Sequence, residues 1–100
     1  MALKVRLHRR AVLDLEAIHA FLIQQAHTQA AENVRLYLRT RIVKLGDHPN
    51  LGVKTTEPGI KILSPTKYTY RIYFTTTATE VVILHIRHTA RRAPKLSELK

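Results

Sequence analysis

Between residues 11 and 45 apolar side chains recur every three or four positions in two consecutive runs, with only His27 and Thr28 marking the join. Ala11, Leu15, Ile18, Leu22 and Ala26 make the first run; Ala31, Val34, Leu38, Ile42 and Leu45 make the second. That spacing is one face of an α-helix. A connection so short forces the two helices to lie antiparallel as a hairpin, each offering one apolar stripe to whatever covers it. Asp14 and Glu16 fall in the early turns of the first helix, where the helix dipole favours negative charge. Thr28 is suited to cap the second helix, and Gly46 with Pro49 to end it. Arg35, Arg39, Arg41 and Lys44 take its other faces.

Outside the hairpin the period drops to two. Leu3, Val5 and Leu7 alternate with Lys4 and Arg6, the pattern of a strand with one buried face. An irregular connector, residues 46–59, holds all three glycines. Strands are expected after it at about 60–64, 67–75 and 80–88, the first stopped by Pro65. In the second, Tyr68, Tyr70, Ile72 and Phe74 share one face; in the third, Val82, Leu84 and Ile86 do so. These even-numbered residues are the more apolar and are expected to face the helices. Arg71, Tyr73, His85 and Arg87 are then left together on the open face. Pairing Thr75 with Val81 sets Arg71 opposite His85, and a slip of two residues keeps all four on one patch. Leu96 and Leu99 are expected to dock as a short helical turn. The expected fold is a single α+β domain over residues 1–100. It has two layers: an N-terminal strand, an antiparallel helical hairpin and a three-stranded antiparallel meander (β-α-α-β-β-β), with the helices packed on one sheet face.

Composition narrows the chemistry. The chain of 100 residues has no cysteine and a net charge of +10, and residues 61–100 carry eight of its 17 basic side chains but two of its seven acidic ones. Such a field attracts nucleic acid, acidic protein surfaces or anionic membrane. No apolar run approaches a membrane span, so a cytoplasmic protein without a membrane partner is expected. The three glycines lack the spacing of a phosphate-binding loop, Ser64 and Ser97 lack a nucleophile-elbow pattern, and His85 and His88 point to opposite faces of a strand. No metal or other cofactor is expected. What remains is the cationic face. Metal-independent RNA cleavage needs a base, a cation for the crowded phosphate and an acid for the leaving oxygen, and Arg71, His85 and Arg87 are suited to those roles. The same residues also read as a contact surface or a solvated sheet face. His88, on the core side at a strand end, reads as a structural hydrogen-bonding group.

The strings LHRRAVLDLEAIHAFL, KLGDHPNLG, YTYRIYF and VVILHIRHTARRAP, in that order and spacing, together resemble the RelE/ParE superfamily of bacterial toxins. The resemblance runs from Leu7 to Pro94. It implies the toxin of a type II toxin-antitoxin pair, neutralised by an antitoxin with an acidic segment that orders on binding. Within the superfamily, RelE-like members cut messenger RNA on the ribosome and ParE-like members inhibit DNA gyrase. Arg71 falls where both branches carry arginine. Lys61 falls near a basic position of the ribonucleases, but Leu63 stands where they often carry a second basic group, and no aromatic follows the last strand to stack on a base. The string IRHTAR is similar to the ParE-like strand end, with His88 and Arg91 at matching positions. The resemblance therefore implies a ParE-like gyrase inhibitor, with a RelE-like ribosome-dependent endoribonuclease as the alternative. A plain basic nucleic-acid-binding module is the reading from a different class. The target-facing surface is expected over Lys61, Arg71, Tyr73, His85, Arg87, His88, Arg91 and Arg92. Antitoxin contact is expected over Leu15, Ile18, Leu22, Arg35 and Arg39.

Overall fold

The computed structural model describes residues 2–90 and 94–99. Strand β1 (Lys4–Leu7) leads into helices α1 (Arg9–Gln25) and α2 (Thr28–Asp47). A 3-10 turn at Pro49–Leu51 follows, then β2 (Val53–Lys54), β3 (Lys61–Leu63), β4 (Tyr70–Thr76) and β5 (Glu80–His88), and a second 3-10 turn at Leu96–Leu99. The strands form one sheet in the order β1-β5-β4-β3-β2. β1 runs parallel to β5, with the helical hairpin in the crossover, and the other neighbours are antiparallel. The expected α+β architecture is present. The sheet gains β2, a two-residue strand inside the connector too short to carry an alternation, and β4 begins at Tyr70 rather than near residue 67.

Histidines start both helices. His8 Nδ1 accepts from the Arg10 N–H at 3.1 Å, and His27 Nδ1 accepts from the Ala30 N–H at 3.2 Å. Thr28 is therefore the first helical residue rather than the cap. Nor does Gly46 end α2, which continues to Asp47. Its missing side chain serves a close approach instead: the Leu3 N–H donates to the Gly46 carbonyl at 2.7 Å, and a Cβ there would sit 2.7 Å from the Leu3 oxygen. Glycine is the residue that lets β1 lie against the end of α2.

The expected stripe of α2, Ala31, Val34, Leu38, Ile42 and Leu45, is wholly buried against the sheet. In α1 only Ala11 is buried; Leu15, Ile18 and Leu22 pack against the core from its margin, and Ala26 is exposed. The sheet answers with Leu63, Tyr70, Ile72, Phe74, Val81, Ile83 and Ile86. For β4 the even-numbered residues face the helices, as their alternation requires. In β5 that rule fails across a bulge. Tyr73 pairs with His85 but Phe74 pairs with Ile83, so Leu84 is an extra residue that switches the parity. Val81 and Ile83 thus point to the helices, while Val82 and Leu84 join Ile60, Tyr73 and Leu99 in a second apolar cluster on the opposite face. Leu96 and Leu99 dock there, as their spacing suggests. That face is not open at its centre.

Candidate functional site

β1 ends at Leu7, opposite Ile83, so β5 runs on past it with one edge free of any strand. α1 lies beside that edge. Asp14 Oδ2 accepts from the Ile86 N–H at 2.9 Å, meeting a donor that a longer β1 would have taken, and stands 2.5 Å from His85 Nδ1. His85 Nε2 faces Arg87 Nη1 at 3.4 Å, and the Tyr73 ring lies 6.0 Å from the imidazole, centroid to centroid. A carboxylate can only accept and a guanidinium can only donate. An imidazole with its proton on Nδ1 would match both neighbours and present a lone pair to Arg87; the Nδ1–Asp14 contact is close but lacks hydrogen-bond geometry. The opposite tautomer holds at His88. Its Nδ1 accepts from the Ala90 N–H at 3.0 Å, so Nε2 carries the proton and donates to Thr69 Oγ1 at 2.8 Å. Both His88 nitrogens are thus engaged within the strand end, with Tyr70 edge-on against the ring. Burial pushes the Tyr70 hydroxyl up from its ordinary value.

Asp14, His85, Arg87 and His88 line a groove of about 420 Å³ between α1 and the free edge, walled on the apolar side by Ile18, Phe21, Tyr70 and Ile86. Phe21 is 57% exposed. The Nε of Arg87 is buried without a hydrogen-bond partner among the described residues. On the sheet, Arg71 is the direct cross-strand partner of Arg87 and Tyr73 that of His85. The register at this end of the strands is thus two residues from the expected one, and one residue from it beyond the bulge, where Thr75 pairs with Val82; the four share a face as parity requires. Two of the four are enclosed, however: Tyr73 is 1% and His85 8% exposed. Lys61 pairs with Phe74, which points to the helices, and so lies on the other face from Arg71. Arg91 and Arg92 lie outside the described residues. The role of Asp14 escapes a reading that assigns it to the helix dipole. The signal was its place between Ala11, Leu15 and Ile18, inside the apolar stripe of α1.

A second groove, of about 510 Å³, opens on the other flank of α1. It is lined by Leu15, Glu16 and His19 from α1, Arg35, Arg39, Ile42 and Val43 from α2, and Val5 and Leu7 from β1. Of the expected antitoxin contacts, Leu15, Arg35 and Arg39 meet here, Ile18 lines the first groove and Leu22 packs on the core. Glu32 bonds Arg35 Nε at 2.7 Å, a bond that lowers its carboxyl below the usual value. Farther along α2, the Tyr37 hydroxyl receives the N–H groups of Thr66 and Lys67 at 3.1 and 3.2 Å and Arg41 Nη1 at 3.2 Å. Burial opposes its ionisation, but these bonds, the Thr66 hydroxyl and the Arg41 charge outweigh it and bring the phenol down to about 7. Arg41 also donates to the Ser64 carbonyl at 2.6 Å, so the pair ties α2 to the loop before β4.

Among the described residues no helix is long and apolar enough to cross a membrane, and no three His, Cys, Asp or Glu side chains converge as metal ligands. No curated protein matches the chain in sequence. Solved structures match it in fold. A chain of the chromosomal ParDE toxin-antitoxin system from P. aeruginosa superimposes with a TM-score of 0.79 at 19% identity, over 87% of this chain and 96% of that one. The RelBE2 toxin-antitoxin complex from Mycobacterium tuberculosis gives 0.66 at 19% identity, over 88% and 99%. A mutant of the E. coli toxin RelE in the free state gives 0.65 at 14% identity, over 99% and 90%. In sequence, the profile of the ParE toxin of the type II toxin-antitoxin system parDE matches residues 5–93, from the second residue of β1 to beyond β5. The chain belongs to the ParE toxin family.

Proposed function

We propose that this toxin disables DNA gyrase by contact, without cleaving nucleic acid, and that a cognate antitoxin holds it silent. The observation that carries the contact reading is the enclosure of His85. A general base must present a nitrogen to the proton it removes. This imidazole is 8% exposed, with Asp14 against Nδ1 and Arg87 against Nε2. Base stacking has no aromatic beyond β5 to use, and Lys61 lies on the other side of the sheet. Arg71 and Arg87 are then a surface for a target.

The antitoxin reading draws on the two grooves that flank α1, on the exposed Leu13, Phe21 and Ile23 of that helix, and on the +10 charge. A segment with apolar side chains for the grooves and acidic ones for the surrounding arginines fits this combination and would order as it binds. One observation favours the RelE-like alternative. Arg71 and Arg87 stand directly opposite each other, a spacing suited to a phosphate. The purified protein should inhibit gyrase in a supercoiling assay and leave translated mRNA intact. Unchanged supercoiling with site-specific mRNA cleavage on ribosomes would reverse the ranking. Replacing His85 by Ala should weaken the toxin about tenfold, in proportion to one lost positioning contact, and not by the several orders of magnitude that follow loss of a general base.

A further inference from the structure

The groove beside β5 brings a carboxylate, an imidazole and a guanidinium into one line of contacts. Arg87 stands across from Arg71 on the neighbouring strand, and no carboxylate pairs with either among the described residues. Two guanidinium groups so placed repel, and a free Arg87 would swing toward water. Its Nη1 instead stands 3.4 Å from Nε2 of His85, and the Asp14 carboxylate stands 2.5 Å from Nδ1 of the same ring; a proton on Nδ1 would leave Nε2 a lone pair for Arg87. Asp14 is itself fixed by the Ile86 N–H at the free edge of β5.

We infer that Asp14 is a positioning residue, acting through His85 to hold Arg87 in the orientation that meets the target. The inference rests on the proposed gyrase-contact reading for the role of Arg87, and on geometry alone for the relay. Asp14 touches no target. Its carboxylate sets the tautomer, the tautomer sets the acceptor, and the acceptor sets the cation. The chain of contacts also joins α1 to the face of the sheet that carries Arg71 and Arg87.

Two variants separate the links. Asp14→Asn keeps an oxygen for the Ile86 N–H but removes the charge that fixes the tautomer. His85→Asn keeps a donor toward Asp14 and removes the acceptor that faces Arg87. Each should weaken inhibition in the supercoiling assay about tenfold, the size expected for one hydrogen bond to a charged group. Each should have no further effect in an Arg87→Gln background, because the relay has nothing left to position. Thermal unfolding of each variant separates this from loss of fold. Nitrogen NMR of the His85 ring gives a readout that a merely structural role would not move: the proton should sit on Nδ1 in the parent protein and redistribute in Asp14→Asn. A parent His85 protonated on Nε2, or additive losses in the Arg87→Gln background, overturns the relay. An Arg87→Gln protein that inhibits gyrase as well as the parent overturns the contact reading on which its function rests, even with the tautomer as expected.

Discussion

The two helices of the hairpin carry apolar stripes of similar length and meet very different fates. In α2 the whole stripe is buried, and Tyr37 and Arg41 tie the helix to the loop before β4. In α1 a single residue, Ala11, is buried, while Val12, Leu13, Phe21 and Ile23 face outward between two grooves. The same periodicity therefore supports two tasks. α2 is a beam of the core. α1 is a shelf, held by the margin of the core and by Asp14, with apolar surface left for a partner. α2 also exposes Leu36 and Val43, so what sets α1 apart is that its expected stripe stays at the margin of the core while four large apolar side chains face outward.

The contrast is sharpest in paired truncations. Leu38 is 1% exposed, and Leu38→Ala should destabilise the fold by about 2 to 5 kcal/mol in chemical denaturation. Leu13→Ala, at a 52% exposed position, should stay within about 0.5 kcal/mol of the parent. Equal losses would erase the distinction between beam and shelf. Phe21→Ala probes the shelf from the other side. It should leave stability almost unchanged yet weaken antitoxin binding by about 2 kcal/mol, as loss of an aromatic anchor does, read by calorimetric titration. Unaltered affinity would move the antitoxin away from the first groove. A smaller effect is expected where the hairpin turns. His27→Ala removes the side-chain acceptor for the Ala30 N–H and should cost about 1 kcal/mol, while His27→Asn, which can still cap, should retain most of it.

The same contrast explains what the sequence reveals and what it hides. Helix period, hairpin and the shared face of Arg71 and Arg87 depend on spacing along the chain, and a slip of two residues in register leaves that face intact. The inward face of β5 depends on a bulge at Leu84, which inserts one residue and reverses parity between Ile83 and His85. A bulge in an all-apolar run such as VVIL has no marker, since either parity buries a good side chain. The burial of Tyr73 depends on Ile60 and Leu99 arriving from distant parts of the chain. The partner of Asp14 depends on where β1 stops. Stripe length does not reveal burial depth either, because α1 and α2 differ in what lies beneath them and not in their own pattern.

The last prediction bears on the polar anchor of α2, which holds a loop where that of α1 holds a strand edge. The Tyr37 hydroxyl is lowered from the usual 10.0 to about 7 by donors that converge on one oxygen, so its phenolate is favoured in the folded chain over the unfolded one. An acid with a depressed folded value adds stability that is fully present above its unfolded pKa and disappears as pH falls through the folded one. The parent protein should therefore gain stability over Tyr37→Phe as pH rises from about 7 toward 10.0, and no further above that window. An ultraviolet difference titration should show one tyrosine ionising near neutrality, and that step should vanish in Tyr37→Phe. Because Tyr37 lies near the surface, solvent damps the gain in stability, and the spectroscopic step is the sharper measure. A flat stability difference together with an absent neutral step would show Tyr37 holding the loop as a neutral phenol.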